Sequence, residues 1–237
     1  MRRTTTDLTV PQVIFESRHD AGRRLATELS EYNNQPVVVL AIPNGGVPVA
    51  LEVAKALKAE LDLVICHKLT LTLSPEGSLG AIADDGTTIL NEKAIKRTGL
   101  SRQQIEYEVS RIRADIKKQS LLYKGDRPLV RVSGKTAIIV DDGLASGFTM
   151  TAAVESVRHH RPKEIVVAVP VAPAPAVKQL EMVADKMITH ATGFMPKFYI
   201  SDFYRYWYDV SNDEVIRYLN QWRRQQFWSN IELPQGG

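Results

Sequence analysis

The chain has 237 residues, of which 44% are hydrophobic and 24% are charged, and its formal net charge is +3 at pH 7. This composition is ordinary for a globular protein and excludes a collagen-like, low-complexity or wholly disordered chain. The single cysteine, Cys66, excludes an internal disulfide and a zinc site built from several cysteines.

The sequence contains no apolar run of about 18 residues, so no membrane span is predicted. The first ten residues, MRRTTTDLTV, carry two arginines but no apolar stretch after them, which argues against a signal peptide. We therefore expect a cytoplasmic protein with no membrane contact. The small positive charge does not favour nucleic acid as a partner and suits an anionic small molecule equally well.

Segments with strand and helix periodicity alternate along the first half of the chain. We predict a helix over 19–32, a buried strand over 37–42, a helix over 48–58, a buried strand over 61–66, and a loop followed by a hairpin within 70–90. Ser101 and Gln104 resemble a capping box, which predicts the start of a long helix that ends near Gly125.

The same alternation continues in the second half of the chain. We predict strands over 135–140, 164–171 and 187–191, and helices over 149–160, 174–184 and 212–224. Repeated β-α units of this kind predict an α/β fold with a mostly parallel twisted sheet and helices on both of its faces.

The most informative segment is a buried strand that ends in two adjacent carboxylates, Asp141 and Asp142, before a loop of small residues. Ligands of open parallel sheets bind at the carboxyl ends of the strands. The backbone amides of 145–149, the Ser146 and Thr149 hydroxyls and the next helix N-terminus would form an anion site. The two carboxylates suit ligand hydroxyls or a metal, so the segment predicts a ligand with a phosphate and a diol, such as ribose 5-phosphate. An acidic strand end that only caps a helix is the structural alternative.

Residues 137–149 resemble the signature of the type I phosphoribosyltransferases, which bind 5-phosphoribosyl 1-pyrophosphate (PRPP); Ser146 stands where threonine is usual. The resemblance covers roughly 15–215 and is closest to predicted members whose acceptor is unassigned. It implies a Mg²⁺-dependent enzyme that transfers phosphoribose from PRPP to a nitrogenous, nucleobase-like acceptor and releases pyrophosphate. Asp141 and Asp142 would be catalytic, holding the ribose hydroxyls and meeting the metal mainly through PRPP and water. The resemblance implies that the 5-phosphate is bound by Ala145, Ser146, Gly147, Phe148 and Thr149.

A second motif, 42–48, places two glycines between a buried strand and a helix. Glycines let the backbone approach an anion closely, although this motif alone also fits a plain turn. In the family the corresponding loop binds pyrophosphate and often holds a non-proline cis peptide, which implies that role for Pro43, Asn44, Gly45 and Gly46. Related members tend to have arginine at position 44. With asparagine there, either PRPP affinity is weaker or charge neutralisation shifts to Mg²⁺ and Lys68.

A third element, beginning at His67-Lys68-Leu69, resembles the strand end and flexible lid of the family. Lys68 would then contact pyrophosphate and act in catalysis, a solvated lysine being the alternative. The 6-oxopurine enzymes have an aspartate where this chain has Ala145, which disfavours hypoxanthine and guanine as acceptors. Adenine-type enzymes have alanine there and a catalytic glutamate in the lid. Glu76 would take that catalytic role, although loop carboxylates are usually solvated.

We predict a single domain over 1–237, with a lid at about 69–80, a helical insertion at about 91–125 and an aromatic C-terminal hood or subdomain at about 192–237. Eight of the aromatic residues fall within 194–208. They would cover the acceptor, or form a packed subdomain or a dimer contact. A homodimer is the expected assembly.

Two other functions fit the same fold. The first is a PRPP- or nucleotide-binding regulator that contacts RNA or DNA, which steeply salt-dependent nucleic-acid binding would favour. The second is a scaffold that retains the pocket without the chemistry, and it predicts no stabilisation by PRPP.

Overall fold

The computed structural model describes residues 5–71, 74–125, 127 and 130–231, and leaves the side chains of 71, 74–77 and 227–231 undescribed. The strands are β1 (Thr6–Leu8), β2 (Val37–Ala41), β3 (Glu60–Leu63), β4 (Cys66–Leu71), β5 (Ser74–Ala83), β6 (Thr88–Leu90), β7 (Thr136–Val140), β8 (Glu164–Pro173) and β9 (Lys186–Gly193). The helices are α1 (Arg18–Glu28), α2 (Gly46–Leu57), α3 (Glu92–Thr98), α4 (Arg102–Lys124), α5 (Phe148–Arg158), α6 (Ala174–Leu180) and α7 (Asn212–Ile231).

Six strands form one sheet in the order β1-β9-β8-β7-β2-β3, and every neighbouring pair in it is parallel. The predicted α/β fold is therefore confirmed. The chain passes outward from β2 to β3 in one direction and from β7 through β8 to β9 in the other. This reversal leaves a crevice at the carboxyl ends of β2 and β7, where ligands of such sheets bind.

Alternate residues of the central strands pack on opposite faces of the sheet. On one face Val39 packs among buried side chains of α1, α2, α4 and α7. On the other face Leu40 packs among buried side chains of α5 and α6. β2 is apolar at every position, and β7 is apolar at every position after Thr136, because both of their faces are covered.

The strands β4, β5 and β6 form a separate antiparallel sheet that packs against α4 and α5. The predicted hairpin around Asp85-Gly86 is present as the turn between β5 and β6. The loop predicted at the start of 70–90 was wrong, because β4 and β5 extend into this stretch and pair there at Thr70 with Ser78 and at Leu71 with Ser74. The pairing of these two strands has register shifts on both sides of Thr70.

The predicted strand over 61–66 was also wrong in extent. β3 ends at Leu63, and Cys66 begins β4 in the other sheet. Every residue from 63 to 66 is buried, so the apolar run carries no signal for the change of sheet. The short edge strand β1 was not predicted at all.

The capping box at the start of α4 is confirmed, because the Ser101 hydroxyl accepts from Gln104 N and the Gln104 side chain accepts from Ser101 N. None of the helices in the described ranges is long and apolar enough to cross a membrane.

Candidate active site at the carboxyl ends of the central strands

The loops that follow β2 and β7 lie side by side because the two strands end in register. Ala41 is paired with Val140, and Ile42 N donates a hydrogen bond to Val140 O at 2.9 Å. The segments after these two residues are 43–46 and 141–147, the two motifs that the sequence singles out. The sheet therefore brings them together at the crevice.

Asp142 is 8% exposed and is held by groups from both ends of the chain. Arg18 Nε of α1 donates to Asp142 Oδ2 at 2.8 Å, and the Tyr204 hydroxyl donates to Asp142 O at 2.6 Å. The Arg18 guanidinium also lies over the Trp207 ring, 3.9 Å from its centroid, and donates to Tyr208 O at 2.7 Å. Asp142 thus carries a charge that the protein itself neutralises.

Asp141 has a different environment. Its Oδ1 accepts a hydrogen bond from Asp142 N at 2.8 Å. Burial, and then the neighbouring Asp142 charge, hold the pKa of Asp141 well above the usual aspartate range. Burial also raises the pKa of Asp142, but Arg18 opposes that shift. Arg18 therefore favours the ionised form of Asp142 directly, whereas Asp141 carries the larger upward shift and gains more from an added cation.

The acidic pair opens into a cavity of about 130 Å³. Its lining includes Lys68, Asp141, Asp142, Gly143, Leu144, Ala145, Ser146, Gly147, Thr149, Met150 and Ile200. Gly147 has a φ of 78° and precedes α5, whose N-terminus receives no hydrogen bond from a capping side chain. Its free N–H groups and positive dipole end favour an anion at this point.

The structure brings together most of the predicted site. Lys68 projects from β4 as an exposed side chain on the same cavity. Phe148 is the exception in the 145–149 loop, because its side chain packs against the apolar core instead of lining the cavity. Glu76 lies in β5, and its side chain is outside the described part of the chain.

The loop after β2 approaches the acidic pair from the other side. The peptide bond between Pro43 and Asn44 is cis. A Cβ on Gly45 would lie 2.0 Å from Asp142 Oδ2, and a Cβ on Gly46 would lie 2.8 Å from Val140 O. The two glycines are needed because any side chain there would collide with the end of β7 and its carboxylates.

The Asn44 side chain turns away from the cavity and into a polar network. Its Nδ2 donates to Val210 O at 2.8 Å and to Asn212 Oδ1 at 3.1 Å. The Tyr123 hydroxyl lies 2.7 Å from both Asn44 Oδ1 and Asn212 Oδ1, and Gln119 Nε2 donates to Asn44 Oδ1 at 3.2 Å. The side chain at position 44 therefore ties the loop to α4 and α7, and its amide group is fully engaged.

Sequence analysis missed the residues that support the site from a distance, among them Arg18, Tyr123, Tyr204 and Asn212. Arg18, Tyr123 and Asn212 belong to helices that look ordinary on their own, and Tyr204 was noted only as one member of the aromatic segment. The available signal was that Arg18 and Tyr123 occur on helices with buried apolar faces. A buried polar side chain of this kind has a hydrogen-bond or charge partner, which the sequence does not identify.

The aromatic segment divides between two roles. Phe198, Phe203, Tyr204 and Trp207 pack with Phe15 in a cluster beside the site. Four others, Phe194, Tyr199, Tyr206 and Tyr208, are exposed. Ile200, from the same segment, lines the cavity and contacts the position of Gly143.

Comparison with known proteins points to one family. Residues 15–197 match the family described as "Phosphoribosyl transferase domain". The Mycobacterium tuberculosis protein named "Putative phosphoribosyl transferase Rv0571c" is 36% identical over 211 residues, which are 89% of this chain and 47% of that protein. The chain thus spans about half the length of the curated relatives it matches. The crystal structure of TT1426 from Thermus thermophilus is 33% identical, with a TM-score of 0.72 over 88% of this chain and 98% of that one.

Proposed function

This chain belongs to the phosphoribosyl transferase domain family, and from that premise we propose that it transfers 5-phosphoribose from PRPP to a ring nitrogen of a nucleobase-like acceptor. The bond between ribose C1 and the pyrophosphate oxygen breaks, and a bond between C1 and the acceptor nitrogen forms. Pyrophosphate leaves with the electron pair, and the acceptor gives up one N–H proton. The observation that carries the proposal is the cavity where Asp141, Asp142, Lys68 and the loop before α5 converge.

The loop over 145–149 is the proposed site of the 5-phosphate. Its support is the uncapped start of α5 together with the Ser146 and Thr149 positions on the cavity. Phosphate accepts hydrogen bonds from free backbone N–H groups and hydroxyls at such a helix start. Phe148 would contribute only its backbone N–H to phosphate binding, because its side chain packs against the apolar core.

The two carboxylates are the proposed site of the ribose hydroxyls. A hydroxyl donates to a carboxylate, and the diol of a ribose bound by its 5-phosphate lies within the same small cavity. Arg18 pairs with Asp142 and orients its carboxylate without itself lining the cavity. We infer that this pairing prepares an acceptor for a ribose hydroxyl before substrate arrives.

Pyrophosphate is proposed to lie between the 43–46 backbone and Lys68. The engaged Asn44 amide makes the backbone of this loop, and not that side chain, the candidate contact. Lys68 supplies an ammonium group on the same cavity. This arrangement supports the expectation that neutralisation moves to Lys68 and Mg²⁺.

The acidic pair also fits Mg²⁺. Within the described ranges no cluster of three or more candidate ligands is found, so these two carboxylates would hold the ion together with PRPP and water. When bound, Mg²⁺ would neutralise charge that develops on the leaving pyrophosphate. The pKa of Asp141 is raised by burial and by the Asp142 charge, so a bound cation would stabilise its ionised form.

The acceptor is proposed to be a base other than a 6-oxopurine. Ala145 is exposed at the cavity, so that position offers no carboxylate to an acceptor ring. Ile200 lines the cavity and offers an apolar contact to an acceptor ring. Its neighbour in the chain, Tyr199, is exposed and offers an aromatic face for a flat heterocycle. Glu76 as the catalytic carboxylate, the 69–80 lid and a cytoplasmic homodimer remain parts of this proposal.

The test is pyrophosphate release from PRPP and Mg²⁺ across a panel of purines, pyrimidines and other aromatic amines. The reaction is run without acceptor as a control, and with the Asp141→Asn/Asp142→Asn variant. Asp213→Asn, an exposed carboxylate on α7, serves as the matched substitution. Acceptor-dependent release by wild type and Asp213→Asn, lost in the double variant while its circular dichroism is retained, is the expected result.

Silence across the panel, with PRPP still bound by the wild type, would contradict the transfer reaction. That outcome would move the assignment to a PRPP- or nucleotide-binding regulator. Binding to RNA or DNA at several salt concentrations would then be measured, since phosphate-backbone contacts weaken steeply with salt.

A further inference from the structure

A second cavity, of about 450 Å³, lies away from the crevice, between the end of α4, α7 and the edge strand β3. Leu219 and Trp222 of α7, both buried, form an apolar part of its lining. Lys124, Arg127 and Arg223 place three cationic groups on the same lining. None of these residues takes part in the site proposed for phosphoribosyl transfer.

Two of the cations converge on one oxygen. Arg127 Nη2 donates to Tyr123 O at 3.3 Å, and Arg223 Nη2 donates to the same oxygen at 3.2 Å. Tyr123 lies in the last turn of α4, where carbonyls lack partners within the helix and cations are favourable. One guanidinium would satisfy that requirement. A second guanidinium at the same carbonyl adds electrostatic repulsion between two like charges, which the helix end alone does not explain.

The acidic residues of the cavity balance these arginines only in part. Asp62 accepts from Val130 N and from Leu63 N, both at 2.8 Å, and Glu60 is paired with Lys135. Lys124 is paired with Asp84 at 2.7 Å. Among the described residues neither Arg127 nor Arg223 has a carboxylate at ion-pair distance, so the charge of Asp62 is the partial balance and an anion can still bind between the two guanidinium groups.

The environment of Arg223 agrees with this imbalance. Burial, and then the charge of Arg127, lower the pKa of Arg223 from its ordinary value, and the charge of Asp62 opposes that shift without reversing it. A guanidinium stays protonated nonetheless, so the repulsion between the two arginines destabilises the folded protein. An anion between the two groups would relieve it.

We propose that the cavity between α4 and α7 is a second ligand site, which binds an organic phosphate. Arginine side chains hold phosphate through paired N–H donors, and the Leu219 and Trp222 surface receives the organic part. The apolar lining favours an organic phosphate over free inorganic phosphate.

Tyr123 connects this cavity to the proposed transferase site. Its carbonyl accepts from Arg127 and Arg223, while its hydroxyl lies 2.7 Å from Asn44 Oδ1 in the loop after β2. One residue therefore contacts the cations of one site and the glycine loop of the other. A ligand that draws the arginines away from the carbonyl acts directly on the residue that holds Asn44.

The test follows the indole N–H signal of Trp222 by ¹H–¹⁵N NMR of the full chain, assigned with Trp222→Phe. The probe is phenyl phosphate, with phenol and inorganic phosphate as separate titrations. We expect a saturable shift with phenyl phosphate, no shift with phenol and a weaker response to inorganic phosphate. Arg127→Gln/Arg223→Gln should weaken the phenyl phosphate affinity at least about tenfold, the loss of roughly one charged hydrogen bond.

Arg224→Gln is the matched control, because Arg224 is an exposed neighbour on α7 that is not part of the lining. Should the double variant not fold, Arg127→Gln alone carries the test, since Arg127 is exposed. A silent Trp222 signal, or equal affinity in wild type and arginine variants, would overturn the proposal. Asp141→Asn/Asp142→Asn should leave the Trp222 titration unchanged, so this result does not depend on the transferase reaction.

Discussion

Arg18 Nε lies 2.8 Å from Asp142 Oδ2, joining two residues that are 124 positions apart in the chain. The same guanidinium donates to Tyr208 O and lies on the Trp207 ring. The first helix, the acidic strand end and the aromatic segment are thereby fixed to one another around a single side chain. The C-terminal aromatic segment is in this respect part of the site's support.

Arg18→Gln should destabilise the protein, because it leaves the buried Asp142 carboxylate without its cation. Breaking a buried ion pair costs about 3–5 kcal/mol, which for a chain of this size lowers Tm by roughly 6–20 °C. Differential scanning calorimetry measures the shift. Arg23→Gln, an exposed arginine on the same helix, should change Tm very little. Equal Tm values for the two variants would contradict a supporting role for Arg18.

Asp141→Asn should stabilise the protein at neutral pH while it abolishes transfer. The folded-state pKa of Asp141 is raised, so its favourable contribution is complete below the unfolded-state pKa and is lost as pH rises through the folded value. The Tm of the variant should therefore match wild type near about pH 4, the ordinary aspartate pKa, and exceed it by a few degrees at neutral pH. A Tm difference that stays constant with pH would argue against an unneutralised Asp141 charge.

Gly45→Ala should lower both stability and PRPP affinity. Its Cβ would lie 2.0 Å from Asp142 Oδ2, so the loop or the carboxylate must move. Overpacking of this kind costs about 1–3 kcal/mol. Denaturant unfolding of Gly45→Ala, Asp142→Ala and the double variant measures it, and the double variant should cost less than the sum of the singles because the clash is gone. Simple additivity would show that the two residues do not meet.

Tyr123→Phe should raise the KM for PRPP more than it lowers kcat, because it removes a hydroxyl that positions Asn44 without touching the cavity. Stability should fall by about 1–2 kcal/mol for the lost hydrogen bonding at a buried position. Steady-state kinetics and denaturant unfolding measure the two effects. Tyr107→Phe, an exposed tyrosine on the same helix, should behave as wild type. A fall in kcat alone would contradict a positioning role.

Lys68→Met should raise the KM for PRPP about tenfold or more and leave Tm unchanged. The lost interaction is a charge-assisted hydrogen bond to an anion, worth about 1.5–3 kcal/mol, and the side chain is exposed in the free protein. Lys93→Met, an exposed lysine of α3, is the control. An unchanged KM for PRPP would show that Lys68 is a solvated surface lysine with no part in binding.

The parts of the site that the sequence predicts are local ones. The strand before Asp141 and the glycine loop after β2 are contiguous segments, and the parallel sheet alone places them side by side. Arg18, Tyr123 and Asn212 reach the site from separate helices, and no periodicity reports such distant partners. Asn44 is the clearest example. Its position in the loop after β2 could be predicted from the sequence, but the direction of its side chain depends on contacts with α4 and α7.

The matched register of β2 and β7 limits where this chain can accept an inserted residue. Ala41 faces Val140 with no offset, so the two site loops leave the sheet at the same level. Inserting one residue into either strand would exchange the side chains that pack in the two cores, one on each face of the sheet, and would displace one loop relative to the other. The β4–β5 pairing around Thr70 has no such constraint, since it already contains register shifts. Tolerance to insertions should therefore differ sharply between these two places, which a scan of single-alanine insertions would display.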